Sequence, residues 1–116
     1  MPTNLPKTAA EYVRSINDCD AAGFLALFAD NAVVDDVGRE FRGRDAIKAW
    51  SDREIFAVNV ALDPVSVAEL DGETLVTCKV DGDFDRTGLP DPVIIDQRIA
   101  ADDGKIVRLT CRLAVS

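Results

Sequence analysis

The chain has 116 residues, 47% of them hydrophobic, a net charge of −8 and no histidine. That length predicts one domain spanning residues 1–116, with enough apolar content for a real core. The acidic balance argues against nucleic acid and anionic membranes as partners, and the missing histidine leaves acid–base chemistry to carboxylates, phenol, lysines or cysteines. Cys19, Cys78 and Cys111 show no C-x-x-C spacing and sit among apolar neighbours, which fits buried, reduced thiols in a cytoplasmic protein. Met1–Lys7 has two prolines and no apolar h-region, so no signal peptide is expected, and no apolar run is long enough to span a membrane.

Thr8-Ala-Ala-Glu11 reads as a capping box opening a first helix, with Tyr12, Val13, Ile16 and Cys19 on one stripe. Asp20 reads as the N-cap of a short second helix whose apolar side carries Phe24, Leu25, Leu27 and Phe28. A strand is predicted over 32–37, a short hairpin closes at Phe41-Arg42-Gly43, and a third helix runs from Asp45 to about Phe56 with Ile47 and Trp50 buried. Four β-rich stretches follow, near 58–70, 73–84, 92–101 and 105–115, with Asp71-Gly72 and Asp103-Gly104 as turns. Helices at the front and antiparallel strands behind predict an α+β fold, a cone of three helices on a curved, mainly antiparallel sheet with a pocket between.

Three residues carry the chemical interest. Tyr12 shares a helical stripe with Ile16 and so points inward, as a core ring or as a functional phenol. Asp36 alternates with Val34 and Ala32 and leaves an apolar face, either lining a site or capping the turn at Val37-Gly38, while Asp35 faces the other way and is expected to be solvated. Asp96 shares a strand face with Ile94 and Arg98, about 7 Å away along the strand. An Asp96–Arg98 ion pair, or Arg98 as an anchor for a substrate anion, follows from that spacing. In the last strand Leu109, Cys111 and Leu113 alternate with Arg108, Thr110 and Arg112, giving one oily face and one basic face. Together with Phe28 and Trp50 these apolar residues are expected to line a cavity for a flat, largely hydrophobic ligand with one or two polar handles, or else to be plain core.

Three other patterns fail. Asp81-Gly-Asp83-Phe-Asp85 starts like a calcium loop, but Arg86 stands at the required glycine and Pro92 at the closing glutamate. Gly38 and Gly43 have phosphate-loop spacing, yet Arg44-Asp45 follows instead of Lys-Ser/Thr. Cysteines without histidine make no zinc site, and no metal or cofactor is expected.

The stretch from Tyr12 to Asp36, the segment Phe41-Arg-Gly-Arg-Asp-Ala-Ile-Lys-Ala-Trp50 and the ending Asp103-Gly-Lys-Ile106 resemble the nuclear transport factor 2-like superfamily. Within it the chain is similar to the SnoaL-like and ketosteroid isomerase-like branch. That resemblance implies a base at Asp36, an oxyanion-stabilising tyrosine at Tyr12, a protonated aspartate donor at Asp96, and a homodimer formed through the exposed sheet face. It also implies cofactor-independent proton transfer next to a ketone, with polyketide cyclisation or a non-catalytic ligand-binding or dimerisation module as alternatives. The chain departs from the isomerase pattern in two places. Arg98 stands where those enzymes keep a large apolar residue, and Ser51 where they supply a supporting tyrosine.

Overall fold

In a computed structural model, which describes residues 5–85 and 87–114, three helices pack on one six-stranded sheet. Most of the Met1–Lys7 start, and Arg86 of the failed calcium loop, lie outside the described residues. Helices α1 (Lys7–Asn17) and α2 (Ala21–Ala26) come first, followed by strands β1 (Phe28–Asp36) and β2 (Arg39–Arg42). Helix α3 (Arg44–Ser51) runs on into a π-helical turn, Asp52–Phe56. Strands β3 (Ala61–Leu70), β4 (Glu73–Asp81), β5 (Val93–Asp102) and β6 (Lys105–Leu113) complete the fold. The sheet order is β2-β1-β6-β5-β4-β3, antiparallel throughout except for the parallel β1–β6 pair.

Local chemistry sets most element ends. Asp20 caps α2 as predicted, accepting the Gly23 N–H at 2.9 Å. Thr8 caps nothing: the N-cap of α1 falls two residues earlier, at Pro6, whose fixed φ starts the helix with no side-chain cap. The strand predicted from residue 32 begins at Phe28, because the chain leaves α2 directly into the sheet, where the Ile106 N–H donates to the Leu27 carbonyl at 2.7 Å. Asp71-Gly72 and Asp103-Gly104 turn their hairpins with both residues at positive φ, as two-residue turns of this kind require. Asn17, at the end of α1, exchanges side-chain hydrogen bonds of 2.7 and 2.9 Å with the backbone of Leu62, pinning that helix to the start of β3.

The core fills one end of the cone. Phe24 is fully buried, with the Phe28, Phe56, Tyr12 and Trp50 ring centroids at 5.0, 5.6, 5.8 and 6.4 Å. Such tilted and edge-on pairs add to the burial of large apolar area. No helix among the described residues is long and apolar enough to cross a membrane.

Candidate functional site

Toward the other end, helices and sheet diverge and leave a cavity of about 400 Å³. Its wall is mostly aliphatic: Ile16 from α1, Leu62 and Val80 from β3 and β4, Val93 and Ile95 from β5, and Leu113 from β6. The polar groups facing it are few, namely Tyr12, Asp36, Glu54, Gln97 and the Cys111 thiol.

Asp36 ends β1 at the cavity mouth, with its side chain 20% exposed. The Trp50 indole N–H donates to its Oδ2 at 3.1 Å, and an Arg39 guanidinium N–H donates to the same oxygen at 2.6 Å. Arg39 sits there because the Val37-Gly38 turn, with both residues at positive φ, folds β2 back so that Arg39 is directly opposite Asp36. Arg39 also clasps Glu54 at 2.6 and 3.0 Å, and that pairing holds the Glu54 carboxyl below its usual range. One wall of the mouth is thus an ion-paired latch of Asp36, Arg39 and Glu54.

The turn is capped by the neighbouring carboxylate instead. Asp35 accepts the Gly38 N–H at 2.9 Å, so the capping alternative for Asp36 is replaced. Nor is Asp35 solvated: it is buried on the opposite sheet face, bound by Arg112 at 3.0 and 3.2 Å with Arg108 at 3.7 Å. Arg112 first, then the Gly38 amide, lower its pKa. The pairing of β6 alongside β1 supplies both arginines, which position in β1 alone does not reveal.

Deeper in the cavity Tyr12 is buried and its hydroxyl donates to Gln97 Oε1. Burial, chiefly, pushes the phenol well above its ordinary pKa, and the nearby Cys111, Cys78 and Asp36 add to that, so Tyr12 stays protonated and able to donate. Burial likewise pushes the Cys78 thiol up to about 12 and raises Cys111, which keeps both as inert thiols rather than nucleophiles.

The remaining predicted site residues divide by strand face. Trp50, Cys111 and Leu113 line the cavity; Phe28 and Leu109 are buried in the core and do not. Asp96 and Arg98 fall on the outer face of β5, because the inward positions are Val93, Ile95, Gln97 and Ile99. Asp96 accepts the Thr77 hydroxyl at 2.7 Å, and Arg98 is held by Glu73. No Asp96–Arg98 ion pair forms among the described residues, and Arg98 does not reach the cavity as an anion anchor. Sequence reasoning missed Gln97, Arg39 and Glu54. The signal for Gln97 was available: an amide alternating with Ile95 and Ile99 is a polar group on an apolar face. Among the described residues no group of three His, Cys, Asp or Glu side chains comes together to hold a metal ion.

Comparison with known proteins agrees with this architecture. A candidate polyketide cyclase from Sinorhizobium meliloti is 28% identical, with a TM-score of 0.82 over 93% of this chain and 95% of that one. A Mycobacterium tuberculosis protein in complex with estradiol-17β-hemisuccinate shares the fold at 17% identity and a TM-score of 0.76, covering 93% and 92% of the two chains. The Δ5-3-ketosteroid isomerase of a Mycobacterium species does so at 21% identity and 0.72, covering 90% and 88%. No curated protein sequence matches the chain. Residues 9–109 match the SnoaL-like domain, which is most of the sequence, and the chain therefore belongs to the SnoaL-like domain family, with the α+β cone of nuclear transport factor 2-like proteins.

Proposed function

We propose that this protein is a cofactor-independent enzyme that moves a proton beside the carbonyl of a small, largely hydrophobic ketone. The supporting observation is the meeting of Asp36 and Tyr12 at one apolar cavity of about 400 Å³, the size of a small-molecule site. In the proposed reaction the Asp36 carboxylate takes a proton from the carbon next to the carbonyl. The C–H electron pair becomes the enolate double bond and the carbonyl electrons move to oxygen. Tyr12, kept protonated by burial and with its hydroxyl proton released from Gln97, stabilises that oxygen by hydrogen bonding. Where the ketone carries a neighbouring β,γ C=C, the carbonyl then re-forms, the double bond shifts into conjugation, and the proton returns from Asp36 to the γ-carbon. Trp50 fixes the aspartate by bonding Oδ2. Asp96 has no direct part in this scheme, because its partner is Thr77 on the far face.

A polyketide cyclase-like aldol closure uses the same enolate with a different electrophile, and the likeness to the Sinorhizobium meliloti protein favours keeping it as the second reading. The open cavity weighs against a purely structural module, in which Trp50 or Phe28 would fill that space. Homodimerisation through the outer sheet face and cytoplasmic residence belong to the same proposal; the three unpaired thiols support the second.

The test is conversion of a 3-oxo-Δ5-steroid followed by the ultraviolet absorbance of the conjugated enone. Turnover lost in Asp36→Asn and strongly reduced in Tyr12→Phe is the expected result. No turnover by folded wild-type protein removes steroid isomerisation and leaves cyclisation as the form of the chemistry to pursue.

A further inference from the structure

Gln97 presents an unresolved account of hydrogen bonds. Its Oε1 accepts the Tyr12 hydroxyl proton, while its buried Nε2 has no hydrogen-bond partner among the described residues. A buried amide N–H without a partner is costly, and native structures avoid it. The amide nitrogen faces the Cys78 sulfur, which is only a weak acceptor, and the thiol itself is buried and kept protonated by that burial. A thiol in that state has a proton to give.

Turning the amide by half a revolution about its last bond exchanges oxygen and nitrogen and moves nothing else. Oε1 then accepts from the Cys78 S–H, and Nε2 donates to the Tyr12 hydroxyl oxygen. The amide oxygen, the amide nitrogen and the Cys78 thiol then each have a partner, and the Tyr12 O–H proton, which the amide no longer takes, is left over. Tyr12 lines the cavity, so that proton is available to a ligand oxygen.

We infer that Gln97 is a positioning residue, its amide turned to form a one-way relay from Cys78 through Gln97 to Tyr12, which makes Tyr12 an obligate donor to a carbonyl oxygen in the cavity. This deepens the proposed proton-transfer reading and rests on it for the identity of the ligand class. The relay is neutral at every link, so the site selects a hydrogen-bond acceptor and disfavours a hydroxyl group that must itself donate. In the opposite amide orientation Tyr12 spends its proton on Gln97 and offers the cavity only lone pairs. The preference would then reverse.

Paired bicyclic probes separate the two orientations: 2-tetralone, which only accepts, and 2-tetralol, which also donates. Binding is followed through the single tryptophan, Trp50, which lies in the cavity wall. Wild-type protein is expected to prefer the ketone by about tenfold, the value of one well-made hydrogen bond. Infrared spectroscopy of the bound ketone should show its C=O stretch lowered, and Tyr12→Phe should abolish that shift. Gln97→Glu, once ionised, accepts from Tyr12 and so mimics the opposite orientation. It is expected to lose both the ketone preference and the infrared shift.

A wild-type preference for the alcohol, equal affinities, or a Gln97→Glu variant that keeps the wild-type preference would each overturn the inference. If Gln97→Glu does not fold, the wild-type comparison and the Tyr12→Phe spectrum decide it. Proton transfer by Asp36 is scored separately. A Gln97-dependent ketone preference without exchange of the ketone's α-protons sustains the relay and removes the enzymatic reading. Asp36-dependent exchange with no ketone preference does the reverse.

Discussion

The two faces of the sheet use the same residue types to opposite ends. On the outer face Asp35 meets Arg112 and Arg108, Asp96 meets Thr77, and Arg98 meets Glu73, so each carboxylate there is matched by donors. On the inner face Asp36, Gln97 and Tyr12 stand in an aliphatic cavity, where a few polar groups are surrounded by oil. Asp35 and Asp36 are adjacent in sequence and leave opposite sides of the strand; both are ion-paired, and Asp36 alone also faces the cavity. Charges answered by partners hold the sheet together. Polar groups that also face empty apolar volume are available to a ligand, and which of these two carboxylates does so is set by the alternation of side chains along the strand.

This contrast can be broken from either side. The largest stability effect should come from the sealed end of the cone. Phe24→Ala removes the ring around which four others pack and should cost about 3–5 kcal/mol by denaturant unfolding. Trp50→Phe takes one donor from Asp36 and should slow α-proton exchange about tenfold, with a stability loss well below that of Phe24→Ala.

Asp35 sharpens the outer-face side. Its folded pKa is lowered, so its stabilisation is present above the ordinary carboxylate value of about 4 and is lost as pH falls below it. The wild-type thermal midpoint should therefore drop on acidification through that range, whereas Asp35→Asn should start lower near neutrality and respond less. Near neutral pH the same substitution should leave ketone chemistry almost untouched. The smallest stability effect is expected for Arg39→Ala. Its side chain is 54% exposed, and its ion pairs with Asp36 and Glu54 should be worth no more than about 1 kcal/mol in thermal unfolding.

Much of this molecule is legible in its sequence, and the illegible parts share a cause. The Asp20 cap, the two Asp-Gly turns and the inward row Cys111–Leu113 follow from local pattern, which is why they were predictable. In β5 the pattern is ambiguous. Ile94 stands beside Asp96 and Arg98 on one face, and Ile95 and Ile99 flank Gln97 on the other, so both faces carry apolar residues. Only the packing of the sheet against α1 decides that Gln97, not Asp96, meets Tyr12. Asp35 fails for a related reason. Its solvation depends on arginines 73 and 77 positions away (108 − 35 and 112 − 35), brought alongside by the one parallel pairing in the sheet. Long-range partners of this kind leave no mark in a local window.

The central claim is that Asp36 acts as a base on carbon in this cavity, and it can be tested without knowing the natural substrate. Exchange of the α-protons of 2-tetralone in deuterated buffer, followed by nuclear magnetic resonance, measures that step directly. Wild-type protein should accelerate exchange over buffer, and Asp36→Asn should lose on the order of a thousandfold of that acceleration while keeping its fold. Exchange by Asp36→Asn equal to that of the wild type would contradict the account.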